Sequence, residues 1–217
     1  MKKHITRFEI INSLIEKNNY KSYLEIGICL PTDCFDLIKC EKKVGVEPFP
    51  KAHRDEVFVG TSDQFFMENE ETFDIIFIDG LHKDFQVIKD YENSLNRLNE
   101  GGVILSHDNL PGQPLHMTEE DNGTAWFGTG WRATAKLRMK NPNVDVRVLD
   151  TDCGLAVVRK GTQEVYPSVA HKDLTFEYYI KNRVDMLNVV STFDYIKENN
   201  LSLNCDDFVV WDGSPFI

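Results

Sequence analysis

The sequence predicts an α/β domain, a doubly wound and mostly parallel sheet with helices on both faces. Two runs lead there first. Phe73-Asp-Ile-Ile-Phe-Ile-Asp-Gly-Leu-His82 and Gly101-Gly-Val-Ile-Leu-Ser-His-Asp-Asn109 are apolar and end abruptly in acids and histidines, as strands covered on both faces do. Between such runs lie segments with apolar residues at helical spacing, and that alternation points to β–α–β units. The chain has 217 residues, enough for one such domain with an appended segment.

The elements follow in order. Residues 6–17 place Phe8, Ile11, Leu14 and Ile15 on one face of an expected amphipathic helix. Tyr23-Leu-Glu-Ile-Gly27 reads as a strand ending in an acid and a glycine, followed by a turn over residues 29–33 and a short helix over 34–38. Lys43-Val-Gly-Val-Glu-Pro48 is a second strand stopped by Pro48, and Val57-Phe-Val59 is a third. Gly60-Thr-Ser-Asp63 opens a helix, with Ser62 or Asp63 expected as its N-cap.

After the fourth strand, a helix over 84–98 carries Ile88, Tyr91, Leu95 and Leu98 as an apolar stripe, and Glu100-Gly-Gly102 is expected to end it. Residues 110–130 form a long irregular stretch, a length typical of lids and binding loops. Trp126, Phe127 and Trp131 close it and either pack beneath it or stack on a ring. Glu119, Glu120 and Asp121 read as a solvated loop tip. A helix to Lys140 and a hairpin over 144–149 and 154–159 complete a seven-stranded sheet. The expected main domain is therefore 1–161. Residues 162–217 are an expected helical extension (cap, tail or oligomer contact), with helices over 174–181 and 186–198 and a final apolar run, Phe208-Val-Val-Trp211.

A net charge of −11 and a pI of about 5.0 disfavour a nucleic-acid partner and leave a small molecule or a cation. No apolar run reaches membrane-spanning length, so no membrane partner and a cytoplasmic location are expected. The five cysteines form no CxxC pair or zinc spacing and read as reduced thiols.

Strand ends in open α/β sheets are where ligands sit, which singles out Asp79, His82, His107, Asp108 and Asn109. Glu47 ends the second strand about twenty residues after the first glycine turn, where a carboxylate accepts from ribose hydroxyls in nucleoside-binding folds. A solvated glutamate before a proline turn is the plain alternative. Asp-Gly and Asp-Asn after strands also occur as simple turns.

Taken together, Glu25-Ile-Gly27, Glu47, the Asp79 strand, Gly101-Gly102 and the terminal hairpin resemble the class I S-adenosylmethionine-dependent methyltransferases over roughly residues 20–161. The two apolar runs look like the small-molecule and sugar O-methyltransferase branch that contains the catechol and macrocin enzymes. The resemblance implies a Rossmann-like fold, S-adenosylmethionine as cofactor and a small hydroxylated substrate such as a sugar. It implies Glu25 and Gly27 under the methionine part of the cofactor, Glu47 on the ribose, Ser62 and Asp63 near the adenine, and Asp79 beside the cofactor. It also implies Asp79, Asp108 and Asn109 as ligands of a divalent cation, magnesium in the catechol enzymes, and His82 where those enzymes carry a lysine base. The chain departs from the family's glycine-rich turn at Cys29 and Pro31.

A hard cation at that rim lowers the pKa of a substrate hydroxyl and orients it toward the methyl group. Oxygen ligands favour magnesium, whereas recruitment of His82 or His107 shifts preference toward manganese, iron or zinc. Two other readings stay open: a metal-dependent oxygenase or hydrolase using Asp79, His82 and His107, and a non-catalytic nucleoside-binding or assembly module.

Overall fold

The computed structural model describes residues 4–123, 125–203, 205 and 208. Its elements run α1 (Arg7–Asn18), β1 (Ser22–Ile26), β2 (Lys42–Val46), β3 (Val57–Phe58), α2 (Ser62–Glu68), β4 (Phe73–Ile78), α3 (Asp84–Arg97) and β5 (Leu98–Ser106). After the irregular stretch come α4 (Trp131–Lys140), β6 (Val144–Leu149), β7 (Leu155–Lys160), α5 (Phe176–Leu187), β8 (Val189–Val190) and α6 (Thr192–Glu198). The seven expected strands form one sheet, and the two-residue β8 adds an eighth, in the order β3-β2-β1-β4-β5-β7-β6-β8.

Strands β1 to β5 pair in parallel, β7 runs antiparallel to both β5 and β6, and β8 runs parallel to β6. The chain winds outward from β1 to β3, then returns to β4 on the other side of β1. Winding reverses between β1 and β4, and this opens a crevice beyond their carboxyl ends.

Alternation along β4 splits its side chains between two cores. Ile75 and Phe77 pack with Ile10, Ile11 and Leu14 of α1 and with Tyr195 of α6. Ile76 and Ile78 pack with Phe65, Tyr91 and Ala133 on the face of α2, α3 and α4. All four of these side chains are buried, which is why residues 75–78 are apolar at every position rather than at alternate ones. Burial of side chains this large stabilises the fold by roughly 1.5–3 kcal/mol each.

Several local expectations change. The N-cap of α2 is Thr61, not Ser62 or Asp63: Thr61 Oγ1 accepts from the Gln64 N–H, and Gln64 Oε1 accepts from the Thr61 N–H at 2.9 Å. The Thr61-x-x-Gln64 spacing is the capping-box pattern, so Ser62 falls inside the helix. The short helix expected over 34–38 is instead a pair of 3₁₀ turns, Pro31–Asp33 and Phe35–Leu37.

Gly101 and Gly102 do not terminate α3. That helix passes straight into β5, and the glycines sit where the pairing of β4 slips from Phe73↔Leu98 to Ile75↔Val103. A Cβ on Gly102 would lie 2.7 Å from the Asp74 carbonyl oxygen, so the bulge needs a residue without one. The helix expected over 186–198 breaks at Asn188, whose left-handed φ of 52° caps α5; Val189 and Val190 then pair with β6 before Ser191 caps α6. Paired valines favour the extended state. Of the expected run over 208–211, Phe208 packs against the α1-side core, and residues 209–211 lie outside the described residues. No helix among the described residues is long and apolar enough to cross a membrane.

Candidate active site

Sheet register gathers the strand-end residues. Ile26 pairs with Ile78 and Ile78 with Ser106, so Gly27, Asp79 and His107 leave their strands at one level. The Asp79 N–H donates to the Ile26 carbonyl at 2.8 Å and the His107 N–H to the Ile78 carbonyl at 3.0 Å. Gly27 has φ +89°, and a Cβ there would lie 2.2 Å from the Asp79 carbonyl oxygen. Both facts demand glycine where β1 passes the exit of β4.

Asp108 takes φ +60°, a conformation uncommon outside glycine. Its neighbours hold it there: the Asn109 N–H donates to Gly154 O at 3.0 Å and the Leu110 N–H to Cys153 O at 2.8 Å, both in the β6–β7 turn. The Asp108 carboxylate thereby faces Asp79, and the His82 imidazole lies between them. Its Nε2 is 3.4 Å from Asp79 Oδ1, and its Nδ1 is 3.2 Å from Asp108 Oδ2 and 3.1 Å from the Trp126 carbonyl oxygen.

The second imidazole touches the same acids. His107 Nδ1 is 3.3 Å from Asp79 Oδ1 and 3.1 Å from Asp108 Oδ1. Its Nε2 is 3.4 Å from Asp152 Oδ1 and 3.0 Å from Arg7 Nη1. Burial opposes ionisation of Asp79, but the imidazoles of His107 and His82 prevail and hold its carboxyl well below the usual carboxylate range. For His82, burial opposes the charge, while the hydrogen bond to Asp79 and the charges of Asp108 and Asp79 push it up to about 9.

Asn109 does not join this group. Its side-chain NH₂ donates to the Ser106 and His107 carbonyls at 2.9 and 3.0 Å, and its Oδ1 accepts from the Thr134 hydroxyl at 2.6 Å. Fully buried, it fastens the β5 exit to α4. Ligand atoms of Asp79, His82 and Asp108 all lie within 4.8 Å of one another, a spacing that one ion spans. Two carboxylates and an imidazole suit manganese, iron or zinc better than magnesium.

The expected cofactor residues divide in two. Gly27, Glu47 and Asp79 border the β1–β4 crevice. Glu47 Oε2 accepts from the Cys29 N–H at 3.1 Å and Oε1 from the Phe49 N–H at 2.9 Å, and each carboxylate oxygen keeps a lone pair for a vicinal diol. Cys29, at a position where the family pattern has glycine, still takes a positive φ of 33°. Ser62 and Asp63 direct their side chains to α3: Ser62 Oγ donates to Asp90 at 2.6 Å, and Asp63 accepts from Gln86 and Lys89 at 3.0 and 2.9 Å.

Glu25 is buried beneath the rim and accepts from the Tyr23 hydroxyl. Burial pushes its carboxyl up from 4.5 to about 8, against the Tyr23 hydrogen bond and with the Asp79 charge adding to the rise. The native chain thus keeps a proton that the unfolded chain loses above its ordinary pKa. Stability contributed by this group is full below about pH 4.5 and is lost as pH rises through 8. Glu25→Gln should flatten that slope, by up to about 1.4 kcal/mol per pH unit. Denaturant titrations at pH 5 and pH 8 read it, and an identical pH dependence in the two proteins would contradict a buried, protonated Glu25.

The irregular stretch is fixed to the site at its end. The Thr129 and Gly130 N–H groups donate to the His82 carbonyl at 2.7 and 3.0 Å. Trp126 stacks on the His82 ring, with centroids 5.3 Å apart. Phe127 stacks on His116, while Trp131 is buried against Tyr179. Glu119 and Glu120, expected to be solvated, form exposed pairs with Arg132 and Lys83, which are worth under about 1 kcal/mol each. Sequence reasoning missed Arg7, which it placed on a covering helix, and Asp152, which it read as a hairpin turn. No local pattern marks either.

A winding reversal between β1 and β4, a glycine forced at the first turn and acids at the exits of β4 and β5 are set in a Rossmann-like fold of the kind that methyltransferases share. Residues 41–109 match the family described as a methyltransferase domain, a segment that runs from the start of β2 to Asn109 and holds Glu47, Asp79, His82 and Asp108. The chain is similar to a Staphylococcus aureus protein provisionally assigned as a caffeoyl-CoA O-methyltransferase, with TM-score 0.54 and 20% identity over 74% of this chain and 86% of that one. It is also similar to the SAH-bound Podospora anserina methyltransferase, with TM-score 0.54 and 20% identity over 70% and 76%. A Bacillus cereus O-methyltransferase in complex with SAH gives TM-score 0.50 and 20% identity over 70% and 79%. At these identities the likeness is one of fold. No curated protein sequence matches the chain.

Proposed function

We propose that the protein is an S-adenosylmethionine-dependent O-methyltransferase, assisted by a divalent cation and acting on a hydroxyl of a small molecule or sugar. The observation that carries this reading is the convergence of Asp79 and Asp108 on His82 at the rim bordered by Gly27 and Glu47. The bound cofactor supplies a sulfonium methyl group. Asp79 and Asp108 would hold the cation, which would supply Lewis acidity that makes a substrate hydroxyl easier to deprotonate.

The chain's own residues do the rest. Glu47 accepts from the ribose diol, and Gly27 lets the cofactor approach the backbone. Glu25 supports the turn beneath the methionine end, while Ser62 and Asp63 contribute backbone rather than side chains on the adenine side. The His82 Nδ1–H is held by the Trp126 carbonyl; Asp79 and Asp108 keep the ring protonated in the free site, and a cation that neutralised those carboxylates would release the Nε2 proton and leave Nε2 as the atom that takes the substrate proton. Stacking of Trp126 keeps the ring in that orientation. The described residues after 161 act as a cap on the 1–161 domain: β8 extends the sheet and the Tyr179 hydroxyl donates to the Asn109 carbonyl at 3.3 Å.

The test pairs a thermal melt in S-adenosylhomocysteine with methyl transfer to a panel of polyhydroxylated acceptors, with and without chelator. The expected result is a raised melting temperature and transfer that chelation removes. An unchanged melt returns the chain to a non-catalytic module, and full transfer in chelator removes the cation from the mechanism.

A further inference from the structure

Arg7 has no part in the reaction outlined above, yet its guanidinium lies inside the acid cluster. It is the first residue of α1, and its backbone N–H donates to the Asp152 carboxylate. The side chain is 21% exposed, with Nη1 3.2 Å from Asp152 Oδ1 and Nε 4.0 Å from Asp79 Oδ2. Nε is buried without a hydrogen-bond partner, so Asp79 is approached but not satisfied by it. Nη1 is also 3.0 Å from His107 Nε2, and His107 Nδ1 touches both Asp79 and Asp108. Arg7 thus acts on the two candidate ligands directly through Asp79 and indirectly through His107.

A guanidinium keeps its charge at any working pH. Placed beside Asp79, it repels a second cation bound by the same carboxylate, and that repulsion is strong in a partly buried site. It also ties Asp152 to itself, so that a third carboxylate a few ångströms away is not offered to an ion. A site of two adjacent carboxylates would otherwise be strongly attractive to divalent metals.

We propose that Arg7 is a positioning residue that sets the cation affinity of this site: a built-in guanidinium that shares Asp79 with the bound ion and keeps that ion exchangeable. This rests on the metal-assisted reading above. It makes the start of α1, an element remote from the strand ends in sequence, part of the control of metal occupancy.

The experiment measures Mn²⁺ binding by electron paramagnetic resonance of the free ion, in wild type, Arg7→Met, Arg7→Lys and Asp79→Ala. Arg7→Met is expected to bind at least about tenfold tighter than wild type, Arg7→Lys within about threefold of wild type because the charge is kept, and Asp79→Ala to lose the site. Should Arg7→Met fail to fold, Arg7→Gln keeps a donor for Asp152 without the charge and carries the same expectation. Binding that needs Asp79 but is no tighter in the uncharged Arg7 variants overturns this proposal and leaves the metal reading standing. Absence of binding in every variant overturns both.

Discussion

Asp79→Ala is expected to lower methyl transfer by about a thousandfold or more while S-adenosylhomocysteine still binds with nearly unchanged affinity. The carboxylate lies 3.3 Å from His107 and 3.4 Å from His82, so its removal takes away a candidate metal ligand and the group that orients both imidazoles. Loss of electrostatic stabilisation and of substrate positioning each reach two to three orders of magnitude at buried sites. The cofactor side is spared because the Asp79 contribution to the crevice is its backbone, fixed by an N–H bond to Ile26 at 2.8 Å. Turnover and calorimetric titration on one preparation separate the two effects. Turnover within tenfold of wild type would remove Asp79 from the catalytic group, and a parallel loss of cofactor binding would make it a structural residue.

Gly27→Ala should be the most damaging single methyl in the sheet. The new Cβ would lie 2.2 Å from the Asp79 carbonyl oxygen and 2.4 Å from Gly80 Cα, at φ +89°. The left-handed backbone alone costs about 1–2 kcal/mol, and overlap with a backbone that cannot swing aside adds more, for a loss of about 3 kcal/mol or greater. For a domain of this size that lowers the melting temperature by about 10 °C. Gly101→Ala is the matched control, since φ is +73° but nothing lies within 4 Å of its Cβ; it should show the conformational cost only. Equal melting shifts in the two variants would mean that the β1–β4 approach is looser than described. Because Gly27 moves with the Asp79 exit, Gly27→Ala should also weaken S-adenosylhomocysteine binding, which Gly101→Ala should leave alone.

What the chain reveals on reading follows how far each interaction reaches along it. Strands β4 and β5 are legible because the part of a strand buried on both faces is apolar at every position, as over residues 75–78 and 103–105, and Asp79 is legible because it follows such a run directly. Glu47 stands out for the same reason, at the end of β2. Local chemistry misleads where two patterns compete: Gly101-Gly102 carries a helix-ending pattern, but the slip in β4–β5 pairing uses it as a bulge, and Ser62 yields the cap to Thr61 because Gln64 completes the box.

The sequence by itself determined the α/β class, the strands and the rim on which the acids lie, since each depends on periodicity within a few residues. Tertiary structure alone decided which rim residues meet. Asp108 reaches Asp79 and Asn109 does not, because the β6–β7 turn holds the β5 exit by backbone bonds and Thr134 of α4 claims the Asn109 oxygen. Arg7 and Asp152, 145 residues apart in the chain, enter the cluster together, joined by sheet order and helix placement. No spacing along the sequence records those contacts, because the forces that create them act across packed elements rather than along the backbone.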